Sequence, residues 1–260
     1  MLLAIDVGNT NTVFAVIEGN AILHRWRIST QSHRTADEYM VWLNQLMAID
    51  GYDRNAIKGA IIATVVPPTL FNLRLLCRRY FDLEAVVVTK DLDLGIGIDL
   101  PNPQEVGADR LVNAVAAHAE YSGDLIIIDF GTATTFDVVS GDGVYRGGVI
   151  APGINLSVDA LVMASAKLPK IAVEPPPTGR AVGRSTVEAM QSGVFWGYVG
   201  LIEGLVSRIR AERGTPMRVI ATGGLGVLFE RHTRAIEIVD VDLTVKGLAL
   251  IFERNRKEAA

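Results

Sequence analysis

Two stretches of this chain carry the same punctuation, about half of its 260 residues apart. In each, an apolar run meets an aspartate and a glycine, crosses a turn rich in threonine and asparagine or alanine, and leaves as a second apolar run. The first reads Leu3-Ala4-Ile5-Asp6-Val7-Gly8-Asn9-Thr10-Asn11-Thr12; the second reads Ile127-Ile128-Asp129-Phe130-Gly131-Thr132-Ala133-Thr134-Thr135. Such a repeat restricts the chain to folds made of two similar units. It also points to phosphate chemistry. A glycine in a tight turn lets backbone N–H groups aim at an anion, threonine and asparagine add neutral donors, and a strand-end aspartate can hold a cation against phosphate oxygens. Turn-making alone accounts for either copy. It does not require the same aspartate at the mouth of both strands, so two hairpins gripping a polyphosphate is the sharper expectation.

Composition narrows the partner. Hydrophobic residues make up 49% of the chain and charged ones 21%, with a formal net charge of −4. That is a globular protein with no basic surface for nucleic acid or anionic membrane, so a small-molecule partner is expected. The one cysteine, Cys77, excludes an intramolecular disulfide, fits a reducing compartment and sits where a helix would bury it. The N-terminal run reaches Asp6 too early and without basic residues for a signal peptide, and the longest uncharged runs fall short of a membrane span. A cytoplasmic protein is expected.

Periodicity predicts the same order twice. Strands over residues 2–6, 12–18 and 21–28 lead to a helix over 35–47, a strand over 58–65, a helix over 68–80 and a strand over 85–89. After a helix over 109–121 come strands over 125–129, 134–140 and 144–150, a helix from Ile154, a long helix over 186–213, a strand over 217–222, a helix from Gly224, a strand over 235–239 and a last helix from Leu243. The fold class is therefore α/β, two domains of actin-like ATPase (RNase H-like) architecture related by internal duplication with a cleft between them, at residues 1–121 and 122–260. Pro175-Pro176-Pro177 predicts an extended loop carrying Thr178 to Ser185. On the long helix, Val187, Met190, Val194, Tyr198, Leu201, Leu205 and Ile209 predict one buried stripe, while Gly193, Gly197, Gly200 and Gly204 form another. Each glycine costs about 1 kcal/mol of helix propensity, so a second backbone should come close there, either within the chain or across a homodimer.

Outside the hairpins, Asn102-Pro103-Gln104-Glu105-Val106-Gly107-Ala108-Asp109-Arg110 stands out. Asp109 falls at a helix start, where a carboxylate is favoured by the dipole alone. The functional alternative has Asp109 accept a hydroxyl proton while Arg110 pairs with a substrate anion, an arrangement for phosphorylating a small hydroxy acid. Ile220-Ala221-Thr222-Gly223-Gly224 reads as a strand, turn and helix of the kind that approaches a nucleotide, or as an ordinary glycine turn. The histidines show no metal-ligand spacing, and no Gly-x-x-x-x-Gly-Lys-Ser/Thr loop occurs, which excludes a P-loop kinase.

These segments, in order with Gly148-Val149-Ile150-Ala151-Pro152-Gly153 and Thr186-Val187-Glu188-Ala189-Met190-Gln191-Ser192-Gly193, resemble type III pantothenate kinase over nearly the whole chain. The resemblance implies phosphorylation of pantothenate by ATP to 4′-phosphopantothenate, the entry step of coenzyme A synthesis. It further implies a homodimer, Mg²⁺ with the nucleotide and a monovalent cation, K⁺ or NH₄⁺. Position by position it implies that Asp6, Val7, Gly8, Asn9, Thr10, Asn11, Thr12 and Val13 hold ATP, with Asp6 serving Mg²⁺ through the nucleotide, and that Thr132 contacts ATP. Asp129 would hold the monovalent cation; Gly107, Ala108, Asp109 and Arg110 would line the pantothenate site with Asp109 as base, and Thr186 would reach the substrate. One departure is Leu100, where many members carry tyrosine. Actin-like domains also serve sugar kinases and regulatory proteins; a sugar kinase would need polar contacts to many hydroxyls, and a purely regulatory protein would not need Asp6, Asp109 and Asp129 together.

Overall fold

The computed structural model describes residues 1–165, 167–177 and 179–256; Thr178, in the loop after the triple proline, lies outside them. Contacts divide the chain into two compact units. One holds Met1–Tyr121, Gly143–Tyr145 and the segment from Asp242 on, the other Ser122–Asp142 and Arg146–Val241.

In the first unit β1 (Leu2–Val7), β2 (Asn11–Glu18) and β3 (Ala21–Ser29) form an antiparallel meander, and β4 (Gly59–Thr64) and β5 (Val86–Val87) add in parallel beside β1, giving the order β3-β2-β1-β4-β5. β5 is shorter than the sequence predicts. A further two-residue strand, β6 (Gly97–Ile98), pairs with Val144 and Tyr145 and has no periodic signal of its own. Alternation sorts β1 into two faces. Leu3, Ile5 and Val7 pack with Phe14 and Val16 against Tyr39, Met40, Leu43 and Met47 of α1 (Ala36–Ile49) and Leu73, Leu76 and Cys77 of α2 (Leu70–Phe81). Thr35 starts α1 with a capping box, its side chain accepting from the Glu38 N–H while the Glu38 carboxylate accepts from the Thr35 N–H. Burial pushes the Cys77 thiol up to about 12, which keeps it an inert packing residue.

Leu2 and Ala4, on the other face, pack with Ile61 and Ala63 against Leu111, Val112 and Val115 of α3 (Ala108–Glu120) and Val245, Leu248 and Ile251 of the last helix, α7 (Leu243–Asn255). The cut at residues 1–121 and 122–260 therefore misplaces α7. Its apolar stripe closes the first unit, and Gly247 lies so near α3 that a Cβ there would come 2.1 Å from the Val112 carbonyl oxygen.

The second unit repeats the plan with β7 (Asp124–Phe130), β8 (Ala133–Val139), β9 (Val144–Pro152), β10 (Met217–Gly223) and β11 (Ile238–Val239) in the order β11-β10-β7-β8-β9. Ile126, Ile128, Phe130, Phe136 and Val138 face α4 (Ile154–Met163), α5 (Thr186–Arg213) and α6 (Gly226–Glu230). Phe229 of α6 stacks between Phe130 and Phe195, with ring centroids 5.3 and 5.6 Å away. On α5 the buried stripe is turned from the expected one. Met190, Tyr198 and Ile209 are buried as expected and are joined by Phe195, Ile202 and Val206, whereas Val187 is exposed and Val194, Leu201 and Leu205 are half-buried. Ser185 caps the helix start and Gly214, at φ 67°, ends it. Among the described residues no helix is long and apolar enough to cross a membrane.

Candidate active site

Both hairpins are present, and both aspartates stand one residue before the end of the strand that enters the turn. Asp6 pairs opposite Val13 and beside Ala63 of β4; Asp129 pairs opposite Thr135 and beside Thr222 of β10. Each is half-buried.

In the first hairpin Gly8 donates its N–H to the Asn11 carbonyl at 3.0 Å and closes the turn. Asn9, Thr10 and Asn11 are exposed at its tip, while Thr12 is buried. Thr30, just beyond β3, donates its hydroxyl to the Gly8 carbonyl at 2.7 Å, so the 2.9 Å contact between the two threonine hydroxyls has Thr12 donating to Thr30. Thr12 is thus a brace inside the turn, and Asn9, Thr10 and Asn11 are the side chains offered outward. Val13 is a half-buried strand residue across from Asp6.

Asp109 comes close to this hairpin through the end of β4. Val65 donates its N–H to the Val7 carbonyl at 3.1 Å, and the same Val65 lies beside Gly107, the residue before α3. Alternation puts Asp6 on the sheet face that carries α3, so the strand-end carboxylate and the helix-start carboxylate belong to one side of one unit. A side chain at Gly107 would fall 2.5 Å from Asp109 Oδ1, so that glycine keeps room for the carboxylate. Burial pushes the Asp109 carboxyl up from its ordinary value, opposed by the Arg110 N–H that it accepts at 2.8 Å and by the Arg110 guanidinium. A carboxyl used only as a helix cap is normally held down, whereas burial moves this one the other way. Ala108 is half-buried in the first turn, and the Arg110 guanidinium lies 5.8 Å from the centre of the Tyr145 ring.

The second hairpin has Thr132 exposed at its tip and Thr134 buried. Gly223, at the end of β10 with φ 86°, lies against it, and a Cβ there would be 2.7 Å from the Phe130 carbonyl and 2.9 Å from Asp129 Oδ1. Gly223 therefore gives the hairpin clearance, while no described residue lies within 4 Å of a Cβ built at Gly224. The Phe130 carbonyl and the Asp129 carboxylate are the oxygens packed against Gly223. Thr186 is exposed at the first position of α5. The structure thus places Asp6 to Val13 with Gly107 to Arg110 in the first unit, and Asp129, Thr132 and Thr186 in the second. Sequence reasoning missed Thr30 and Tyr198, which brace the two turns; neither lies in the repeated motif. Among the described residues no three His, Cys, Asp or Glu side chains gather into a metal cage.

A model of the type III pantothenate kinase family matches residues 2–208. This chain belongs to that family. The type III pantothenate kinase of Rhodospirillum rubrum is 60% identical over 259 residues, covering 99% of this chain and 100% of the relative. Among solved structures, a Baf family transcriptional activator from Campylobacter jejuni aligns with a TM-score of 0.59 at 19% identity, over 97% of this chain and 98% of its own. A ROK hexokinase from Thermus thermophilus aligns with a TM-score of 0.51 at 15% identity, over 96% and 97%. At those identities the likeness shows the fold alone, that of actin-like ATPases, shared by kinases of this family and by kinases of sugars.

Proposed function

We infer that this chain transfers the γ-phosphoryl group of ATP to the primary hydroxyl of pantothenate, giving 4′-phosphopantothenate for coenzyme A synthesis. The observation that carries the reading is Asp109, a carboxyl raised by burial at the start of α3 on the Asp6 side of the first sheet. As the pantothenate hydroxyl attacks phosphorus, its proton passes to the Asp109 carboxylate and ADP leaves. Such a transfer needs positioning and charge neutralisation more than covalent help. Asn9, Thr10 and Asn11 offer donors to the phosphates, and Arg110 would pair with the pantothenate carboxylate. Mg²⁺ bound with ATP would neutralise phosphate charge, and Asp6, half-buried at the strand end, is the group that fits it. Asp129, with the Phe130 carbonyl beside it, fits K⁺ or NH₄⁺, Thr132 would contact ATP, and Thr186 would reach the acceptor.

A homodimer is part of this proposal. Among the described residues nothing outside their own helix turn lies within 4 Å of a Cβ built at Gly193, Gly197 or Gly200. No described residue makes use of their small size, and a partner's helix would account for the loss of propensity they impose. Exposed Ile150, Leu156, Met163, Val182 and Val187 extend the apolar surface of the same unit. The test of function is ATP turnover with and without pantothenate. Strict dependence with formation of 4′-phosphopantothenate supports it; turnover with a sugar instead, or none with any acceptor, overturns it.

A further inference from the structure

In the second unit one tyrosine joins the hairpin that carries Thr132 to the corner between β9 and α4. Tyr198, on α5, is buried against both Phe130 and Phe229, so its ring belongs to the core. Its hydroxyl leaves that core and meets both the Thr134 hydroxyl and, at 3.2 Å, the Pro152 carbonyl. The carbonyl can only accept, so Tyr198 donates to Pro152 and Thr134 donates to Tyr198. Every proton in that chain is committed. A second link runs alongside it: Gly153 donates its N–H to the Thr132 carbonyl at 3.2 Å, and a Cβ on Gly153 would lie 2.2 Å from the same oxygen. The corner between β9 and α4 is thus seated on the tip of the second hairpin, with Tyr198 as the side-chain half of the clamp.

The first unit shows what such a clamp is not needed for. Tyr39, on the helix that follows the first meander, also brings a buried hydroxyl to its hairpin threonine, Thr12, which lowers its phenol's pKa against the larger effect of burial. Yet the Tyr39 hydroxyl makes no well-aligned hydrogen bond. There the threonine is already tied to Thr30 and through it to Gly8, within the meander itself.

We propose that Tyr198 is a positioning residue for nucleotide use: through Thr134 and Pro152 its hydroxyl holds the second hairpin, and with it Thr132, against the β9–α4 corner. This rests on the placement of ATP at Thr132. Tyr198→Phe keeps the ring and removes only the link. In steady-state kinetics of the full chain, we expect the KM for ATP to rise about tenfold with the KM for pantothenate within about twofold, as for an interaction lost in nucleotide binding. Thr134→Val approaches the same bond from its other end and should give the same shift, and the double variant should be no worse than either single one. An unchanged ATP KM in both single variants, additive losses in the double variant, or a lowered melting temperature with normal kinetics would overturn the role. Thr132→Ala separates the two readings. If it leaves the ATP KM unchanged while Tyr198→Phe raises it, the nucleotide contact moves off Thr132 and Tyr198 keeps its role; if Thr132→Ala is impaired and Tyr198→Phe is not, the present inference alone falls.

Discussion

The first hairpin places four residues between the paired Val7 and Thr12, and the second places three between Phe130 and Thr134. Read as letters, both copies share Asp-x-Gly-x-x-x-Thr, which matches Thr12 with Thr135. Read as register, Thr12 matches Thr134, because each sits opposite the residue after the aspartate. The shorter turn leaves Thr135 across from Asp129, where the longer one has Val13 across from Asp6. The neighbouring parallel strand differs as well. Thr64 of β4 stands beside Val7, but Gly223 of β10 stands beside Phe130 and leaves space for the Asp129 carboxylate. One duplicated device has become two. The first is braced within its own meander and lies beside the proposed base, while the second is cleared around its aspartate and braced from a helix.

The largest effect should come from the feature that only the first unit has. Asp109→Asn keeps the shape and removes the proton acceptor, so kcat should fall roughly 10²- to 10⁴-fold with little change in ATP affinity. Near-normal turnover would reduce Asp109 to a helix-start carboxylate and remove the functional contrast between the units.

Exchanging the two aspartates in turn tests whether they serve different ions. Asp6→Asn should cost about 10- to 100-fold in use of Mg²⁺-ATP at every K⁺ concentration, the scale of a lost charge-assisted contact. Asp129→Asn should instead move the K⁺ requirement upward. Matching responses to both ions in both variants would make the hairpins equivalent after all.

Gly223→Ala sharpens the same point without touching a charge. The substitution forces a side chain into φ 86° and against the Phe130 carbonyl, at a cost of about 1–3 kcal/mol. K⁺ activation should suffer before the Mg²⁺-ATP response does, which titration of each ion would reveal. In the same unit, Gly197→Leu should yield monomers by light scattering, with a loss of about 1–3 kcal/mol at the helix contact. A wild type that is already monomeric and fully active would leave the glycines without a partner.

The smallest effect is one of stability, and its sign is opposite to that on turnover. The Asp109 carboxyl is raised in the folded chain. Its contribution to stability is therefore present below the unfolded carboxylate value and lost as pH rises through the folded one. Asp109→Asn should be more stable than wild type at neutral pH, with the advantage vanishing in acid. Thermal melts across pH would show it, and the acid limb of kcat/KM should lie above the usual carboxylate range in the wild type.

Much of this was legible in sequence because the signals were local. The aspartates at strand ends, the start of α1 near Thr35 and the full extent of α5 follow from period. What was not legible depended on contacts distant in the chain. The burial stripe of α5 is turned because Phe229, from a helix of only five residues, draws Phe195 and Tyr198 toward it. Thr30 and Tyr198 act by hydrogen bonds to turns far away in sequence, and nothing in their own surroundings announces it. β6, with two residues, carries no period at all, and the strand expected over 85–89 shrinks to the two residues of β5.

The last helix gives the first unit an unusual history during synthesis. The residues of β1, β4 and α3 are translated before the second unit, and the apolar face that Val245, Leu248 and Ile251 cover lacks them until that unit has been translated. Nascent chains fold mostly from the N-terminus as domains emerge; here the earlier unit must wait for the later one. The unit that carries Asp6 and Asp109 depends for its own core on residues that follow the second unit in the chain.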